Sequence, residues 1–163
     1  MDAIGKVRKV ISSLFHPAQK KQDRKTYPRN LKAAMGHINS IRRKHGLQPI
    51  PIDDRALALA KVRLADLHRY HYFDHVNPKT KSSADSLKAS FGFNTYEGTT
   101  ENLYGGGRSN NMHEAIKAWM KSPGHRRNLL FTPYVGGAVA AYRGNVVFIG
   151  VVDARKCPQP SEW

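Results

Sequence analysis

Three of the eight histidines, His68, His71 and His75, stand three and four residues apart. That spacing places imidazoles on one face of a helix and is compatible with metal ligation. The plainer reading of His68 and His71 is as solvated polar positions on an amphipathic helix. His75 differs, because Phe73, Asp74, Asn77 and Pro78 surround it at a helix-to-loop transition, where functional groups are more commonly displayed. A carboxylate candidate, Glu101, lies in Thr99-Thr100-Glu101-Asn102-Leu103-Tyr104, just before Gly105-Gly106-Gly107, a stretch that permits close backbone approach. An isolated carboxylate is ordinarily a surface charge. His125 follows Ser122-Pro123-Gly124, which breaks one helix and can begin another. The positive end of a helix dipole there favours the neutral imidazole, the form able to ligate. By spacing alone these remain three separate polar residues, and no Ser or Cys nucleophile with its base is evident to support covalent catalysis.

The elements that must position them can be read from periodicity. Tyr27-Pro28 opens a helix whose face is marked by Leu31, Met35, Ile38 and Ile41 until Gly46 stops it. Asp53 caps a second, substantially apolar helix through Leu57, Ala60, Val62, Leu64 and Leu67, ending at the cluster Tyr70, Tyr72 and Phe73. Ser82 or Ser83 caps a short third helix through Leu87 and Phe91. Asn110 or Asn111 caps a fourth through Ile116, Trp119 and Met120, stopped by Pro123. After Pro133 two apolar runs, residues 135–142 and 146–152, flank Arg143-Gly144-Asn145 and predict a hairpin. Helices first and a hairpin last, without βαβ alternation, predict an α+β layered fold.

With 163 residues, 40% hydrophobic and 24% charged, the chain fits one folded domain and excludes full disorder. Its 27 Lys and Arg against 12 Asp and Glu give +15, a field that attracts anionic surfaces. Residues 1–32 hold +7 of this charge, so the N-terminus is a basic arm. Within it Ile4, Val7, Val10, Ile11, Leu14 and Phe15 recur at helical spacing. They describe a short basic amphipathic helix, read as packing on its own domain before docking on a membrane surface, and a polar linker follows. The expected division is a basic helix and linker over 1–26, a domain over 27–155 and a tail over 156–163. The lone Cys157 excludes an intramolecular disulfide and any Cys-based zinc cluster. No apolar stretch early in the chain approaches a membrane span or a signal segment.

The segments carrying His75, Glu101 and His125 together resemble the bacterial branch of the CAP superfamily, the SCP-like or pathogenesis-related-1-like domains. Residues 36–67 resemble the two opening helices of such domains. Tyr72-Phe73-Asp74-His75-Val76-Asn77-Pro78 resembles the block that supplies the first site histidine, and Thr100-Glu101-Asn102-Leu103 the block that supplies the glutamate. Ala118-Trp119-Met120-Lys121-Ser122-Pro123-Gly124-His125-Arg126-Arg127-Asn128-Leu129-Leu130, the longest and most specific block, resembles the one that supplies the second histidine. The resemblance covers about residues 30–153. Three positions depart from the family pattern. Ser122 stands where many members carry a second glutamate, Thr100 replaces a glycine, and Asn145-Val146-Val147-Phe148-Ile149 replaces a Trp-Thr-Gln type strand.

The resemblance implies a three-layer α-β-α sandwich with a C-terminal β-hairpin, in which His75, Glu101 and His125 converge in one cleft with Ser122 and Asn102. Tyr104 and Arg126 neighbour the same blocks. Two neutral imidazoles and a carboxylate suit Zn²⁺ or a related divalent ion, with His75 and His125 as ligands. On family grounds the expected function is an extracellular or surface binding module, with a lipid, cell-wall or other anionic partner reached through the basic residues. A metal-dependent hydrolase or protease with Glu101 as general base is the alternative. Nucleic acid is disfavoured, because only Tyr27 accompanies the basic arm as a stacking aromatic.

Overall fold

Pro28, whose missing amide hydrogen costs a helix start nothing, is the N-cap of α1 (Arg29–Lys44). The computed structural model describes residues 28–107 and 110–157, so the basic helix and linker expected over 1–26 and residues 158–163 of the tail lie outside it. Leu31, Ala34, Met35, Ile38 and Arg42 form the buried face of α1, and Gly46 ends the turn at φ +71°. The Arg42 guanidinium, 1% exposed, donates to the carbonyls of Gln48, Leu129 and Phe131 and thereby ties α1 to the chain beyond α5.

Asp53 caps α2 (Asp54–Arg69) through hydrogen bonds from the amides of Arg55 and Ala56. Ser83 caps α3 (Ala84–Leu87) in a reciprocal box with Ser86, and a 3₁₀ turn, Lys88–Phe91, continues it. Asn111 caps α4 (Met112–Lys121), and Pro123 at the first position of α5 (Pro123–Leu129) separates the two helices. These caps fall where short polar side chains precede apolar periodicity.

Among the described residues the sheet has three antiparallel strands in the order β1-β3-β2: β1 (Glu97–Tyr104), β2 (Tyr134–Tyr142) and β3 (Asn145–Asp153). The predicted hairpin is β2–β3, turned by Arg143 (φ +48°) and Gly144 (φ +80°), the left-handed pair that a two-residue hairpin turn requires. β1 is an addition to the sequence reading. Its polar run carries no strand periodicity, and pairing with β3, Glu101 opposite Ile149, makes it a strand.

Residues 146–151 of β3 are buried without interruption, so both faces of the central strand are covered. Helix α2 packs on β2 and β3, while α1, α4 and α5 pack on one another and against β1 or β2. That is the three-layer α-β-α arrangement expected above. Trp119 of α4, 1% exposed, packs against Phe148 and donates its indole N–H to the Leu103 carbonyl at 2.9 Å. One contact thus fixes α4 against β1 two residues from Glu101.

Candidate functional site

Consecutive residues of a strand point to opposite faces. In β1, Glu101 turns toward α2 and Asn102 toward α5. Both nevertheless line one cleft of about 330 Å³, together with His75, Thr100, Ser122, Gly124, His125 and Asn128. Among the described residues β1 pairs with β3 alone, so the cleft runs along the other edge of β1 and takes one histidine from each side.

On the α2 side, His75 Nδ1 lies 2.9 Å from Glu101 Oε1. A carboxylate only accepts, so Nδ1 carries the proton and Nε2 is the nitrogen left for a ligand. Behind this pair sits Arg63, whose side chain is 0% exposed, with Glu101 at 5%. Its Nε donates to Glu101 Oε2 at 2.8 Å and one terminal nitrogen to Oε1 at 3.2 Å. The same guanidinium holds the carbonyls of Asp74 and His75 at 3.0 Å each, the Asp66 carboxylate at 3.2 Å and the Tyr72 hydroxyl at 2.6 Å. Asp66 also accepts from Tyr72 and from the amide of the fully buried Asn77. One buried cation therefore orients the carboxylate and also pins the backbone of the histidine that the carboxylate orients.

On the α5 side every partner is neutral. His125 Nδ1 lies 3.0 Å from Ser122 Oγ, and the His125 carbonyl accepts from the Asn102 amide at 3.1 Å. Asn102 Oδ1 accepts from Asn128, whose carbonyl and side-chain oxygens accept from the Tyr134 hydroxyl. Tyr134 also meets Thr100 Oγ1 at 2.6 Å. Its ring crosses β3 directly over Gly150, where a β-carbon would stand 2.2 Å from the ring. Glycine is required there if the hydroxyl is to reach Thr100 and Asn128.

These surroundings move the two imidazoles in opposite directions. The hydrogen bond to Glu101 raises the His75 pKa above its ordinary value, against the effect of partial burial. Burial, helped by the charge of His75, lowers that of His125. Arg63 is lowered by burial but raised by Glu101 and Tyr72, with a net increase that keeps it a cation.

All five residues expected at the cleft, His75, Glu101, Asn102, Ser122 and His125, line it, whereas Tyr104 and Arg126 are not among its lining residues. Arg126 instead donates to His45. His68 and His71 stay outside the cleft, with His68 accepting from Arg143. Thr100, Gly124 and Asn128 join the lining. Arg63 is the residue that sequence reasoning missed, since an arginine inside a helix ordinarily signals a solvated face. Its one signal is position: residue 63 falls among Val62, Leu64 and Ala65, which are buried with it. Among the described residues, no group of three or more His, Cys, Asp or Glu side chains is placed to hold a metal ion.

Comparison with known proteins places this geometry. The model of the cysteine-rich secretory protein family, CAP, matches residues 35–152. The uncharacterized protein YkwD of Bacillus subtilis (strain 168) is 39% identical over 92 residues, covering 56% of this chain and 34% of that protein. The uncharacterized membrane protein YlbC of the same strain is 32% identical over 99 residues, covering 59% and 27%. The chain thus spans about a third or less of the length of these relatives. Among solved structures, an extracellular protein containing an SCP domain from Bacillus anthracis superposes with a TM-score of 0.69 at 22% identity, covering 76% of this chain and 40% of that one. An outer surface protein of Borrelia burgdorferi superposes at 0.63 with 20% identity, covering 78% and 93%.

Proposed function

The chain belongs to the cysteine-rich secretory protein (CAP) family, and from that premise we propose that it is an extracellular or surface binding module whose ligand enters the cleft between His75 and His125. The observation that carries this reading is the anchoring of both imidazoles through Nδ1, by Glu101 and by Ser122, which leaves two Nε2 atoms for one cleft. A histidine fixed by a carboxylate behind it is a common arrangement of metal-ligating imidazoles. A divalent ion such as Zn²⁺ would be held by His75 and His125, with Glu101 as the orienting carboxylate, and would supply a Lewis-acidic position open to a ligand.

The geometry favours binding over hydrolysis. Both Glu101 oxygens accept from Arg63, and Oε1 also from His75, so three of the carboxylate's roughly four acceptor positions are taken and about one, on Oε2, is left for a water. Among the described residues no helix is long and apolar enough to cross a membrane. The +7 on residues 1–32 supports attachment to an anionic lipid or wall polymer.

Calorimetric titration of Zn²⁺ into the full chain, beside His75→Ala and His125→Ala, tests the reading. Saturable binding lost in both variants is expected. Binding that survives both would remove the cleft as the metal site.

A further inference from the structure

A second pair of histidines meets far from the cleft, and neither member belongs to the site described above. His37 on α1 and His113 in the first turn of α4 bring their Nδ1 atoms to 2.8 Å, with ring centroids 4.9 Å apart and planes inclined by 33°. Two neutral imidazoles this close share a single proton on the line between the two nitrogens. A metal ion about 2.0 Å from both would take its place about 1.4 Å to one side of that line, with both rings turned toward it.

The separation selects the ion. Nitrogens 2.8 Å apart and each about 2.0 Å from a metal subtend roughly 90°, the angle of adjacent ligands in square-planar or tetragonal coordination. A tetrahedral ion at the same bond length would need them about 3.3 Å apart. We propose that His37 and His113 form a binding site for a tetragonal divalent ion of the copper or nickel type, held by both Nδ1 atoms and completed by water.

Three further observations bear on it. His113 is exposed and His37 half-buried, so the pair is open to water ligands. Burial, His113, Lys117 and Lys44 all lower the pKa of His37, which keeps it in the neutral, ligating form. The two lysines oppose a dication by charge, and this sets a limit on affinity. The site is separate from the cleft, because His113 and Ser122 are nine residues apart, about 13 Å along α4.

The test uses Cu²⁺ with the full chain carrying His75→Ala and His125→Ala, so that the cleft cannot contribute. One equivalent should bind, with electron paramagnetic resonance showing coupling to two imidazole nitrogens, and copper should raise Tm. Adding either His37→Ala or His113→Ala should weaken binding at least tenfold and abolish the two-nitrogen signature and the Tm shift. Both positions lie at or near the surface, and His113→Gln provides a second, shape-conserving variant with the same expected loss. Copper affinity and spectrum unchanged by these substitutions, as when other histidines carry the binding, would overturn the proposal.

Discussion

The two walls of the cleft present the same side chain by opposite means. His75 rests on an ionic cluster of the buried Arg63 and Glu101 side chains and the partly buried Asp66, with Tyr72 and Asn77 satisfying the remaining Asp66 oxygens. His125 rests on hydroxyls and amides: Ser122, Asn102, Asn128, Tyr134 and Thr100. The difference has two consequences. A carboxylate can only accept, so it fixes the His75 tautomer, whereas the Ser122 hydroxyl can donate or accept and leaves His125 able to hold its proton on either nitrogen. The ionic wall also stabilises a protonated imidazole, and the neutral wall does not.

Removing the cation should break the ionic wall most severely. Arg63→Met leaves the buried Glu101 carboxylate and the partly buried Asp66 without their counter-charge and should cost about 3–5 kcal/mol in chemical denaturation. On the neutral wall, Asn102→Ala removes one donor to the His125 carbonyl and one acceptor for Asn128. A loss of about 1–3 kcal/mol is expected there, with the His75 pKa unmoved. An equal loss in the two variants would remove the distinction between the walls. Ser122→Ala should cost about 0.5–1.5 kcal/mol or less, with its main effect on the tautomer of His125, read by imidazole nitrogen shifts.

The smallest effects are those of pH, and they run in opposite directions. The folded pKa of His75 is raised. Its stabilisation is therefore complete below the unfolded value of about 6.5 and disappears as pH rises through the folded value. The penalty of His75→Gln, followed by urea midpoints, should be larger at pH 5.5 than at pH 8.5. For His125 the folded pKa is lowered. Wild-type stability is then lost as pH falls from about 6.5 through the folded value, and His125→Gln should relieve that acid loss.

How far the sequence revealed these walls follows from what each residue signals locally. Asp53, Ser83 and Asn111 are caps because a short polar side chain before apolar periodicity has one economical use, and all three are N-caps in the structure. His75, Glu101 and His125 were visible through blocks that resemble the CAP family, and spacing alone would have left them apart. The strand that carries Glu101 was not legible. Glu97–Tyr104 is polar at an edge, and its partner β3 begins 41 residues after β1 ends. Arg63 was hidden for a related reason, because its burial depends on Glu101 and on the carbonyls of residues 74 and 75, none of which is local to α2 in the chain.

Two imidazoles tuned in opposite senses face one another beside the edge of the sheet, and imidazole ¹H–¹⁵N spectra followed through a pH titration read both at once. His75 should titrate above its ordinary value, with Nδ1 protonated in the neutral form, and His125 below it. Glu101→Gln should bring His75 back toward the ordinary value and leave the downward shift of His125 in place. Two histidines titrating together near 6.5, both indifferent to Glu101→Gln, would contradict this opposite tuning.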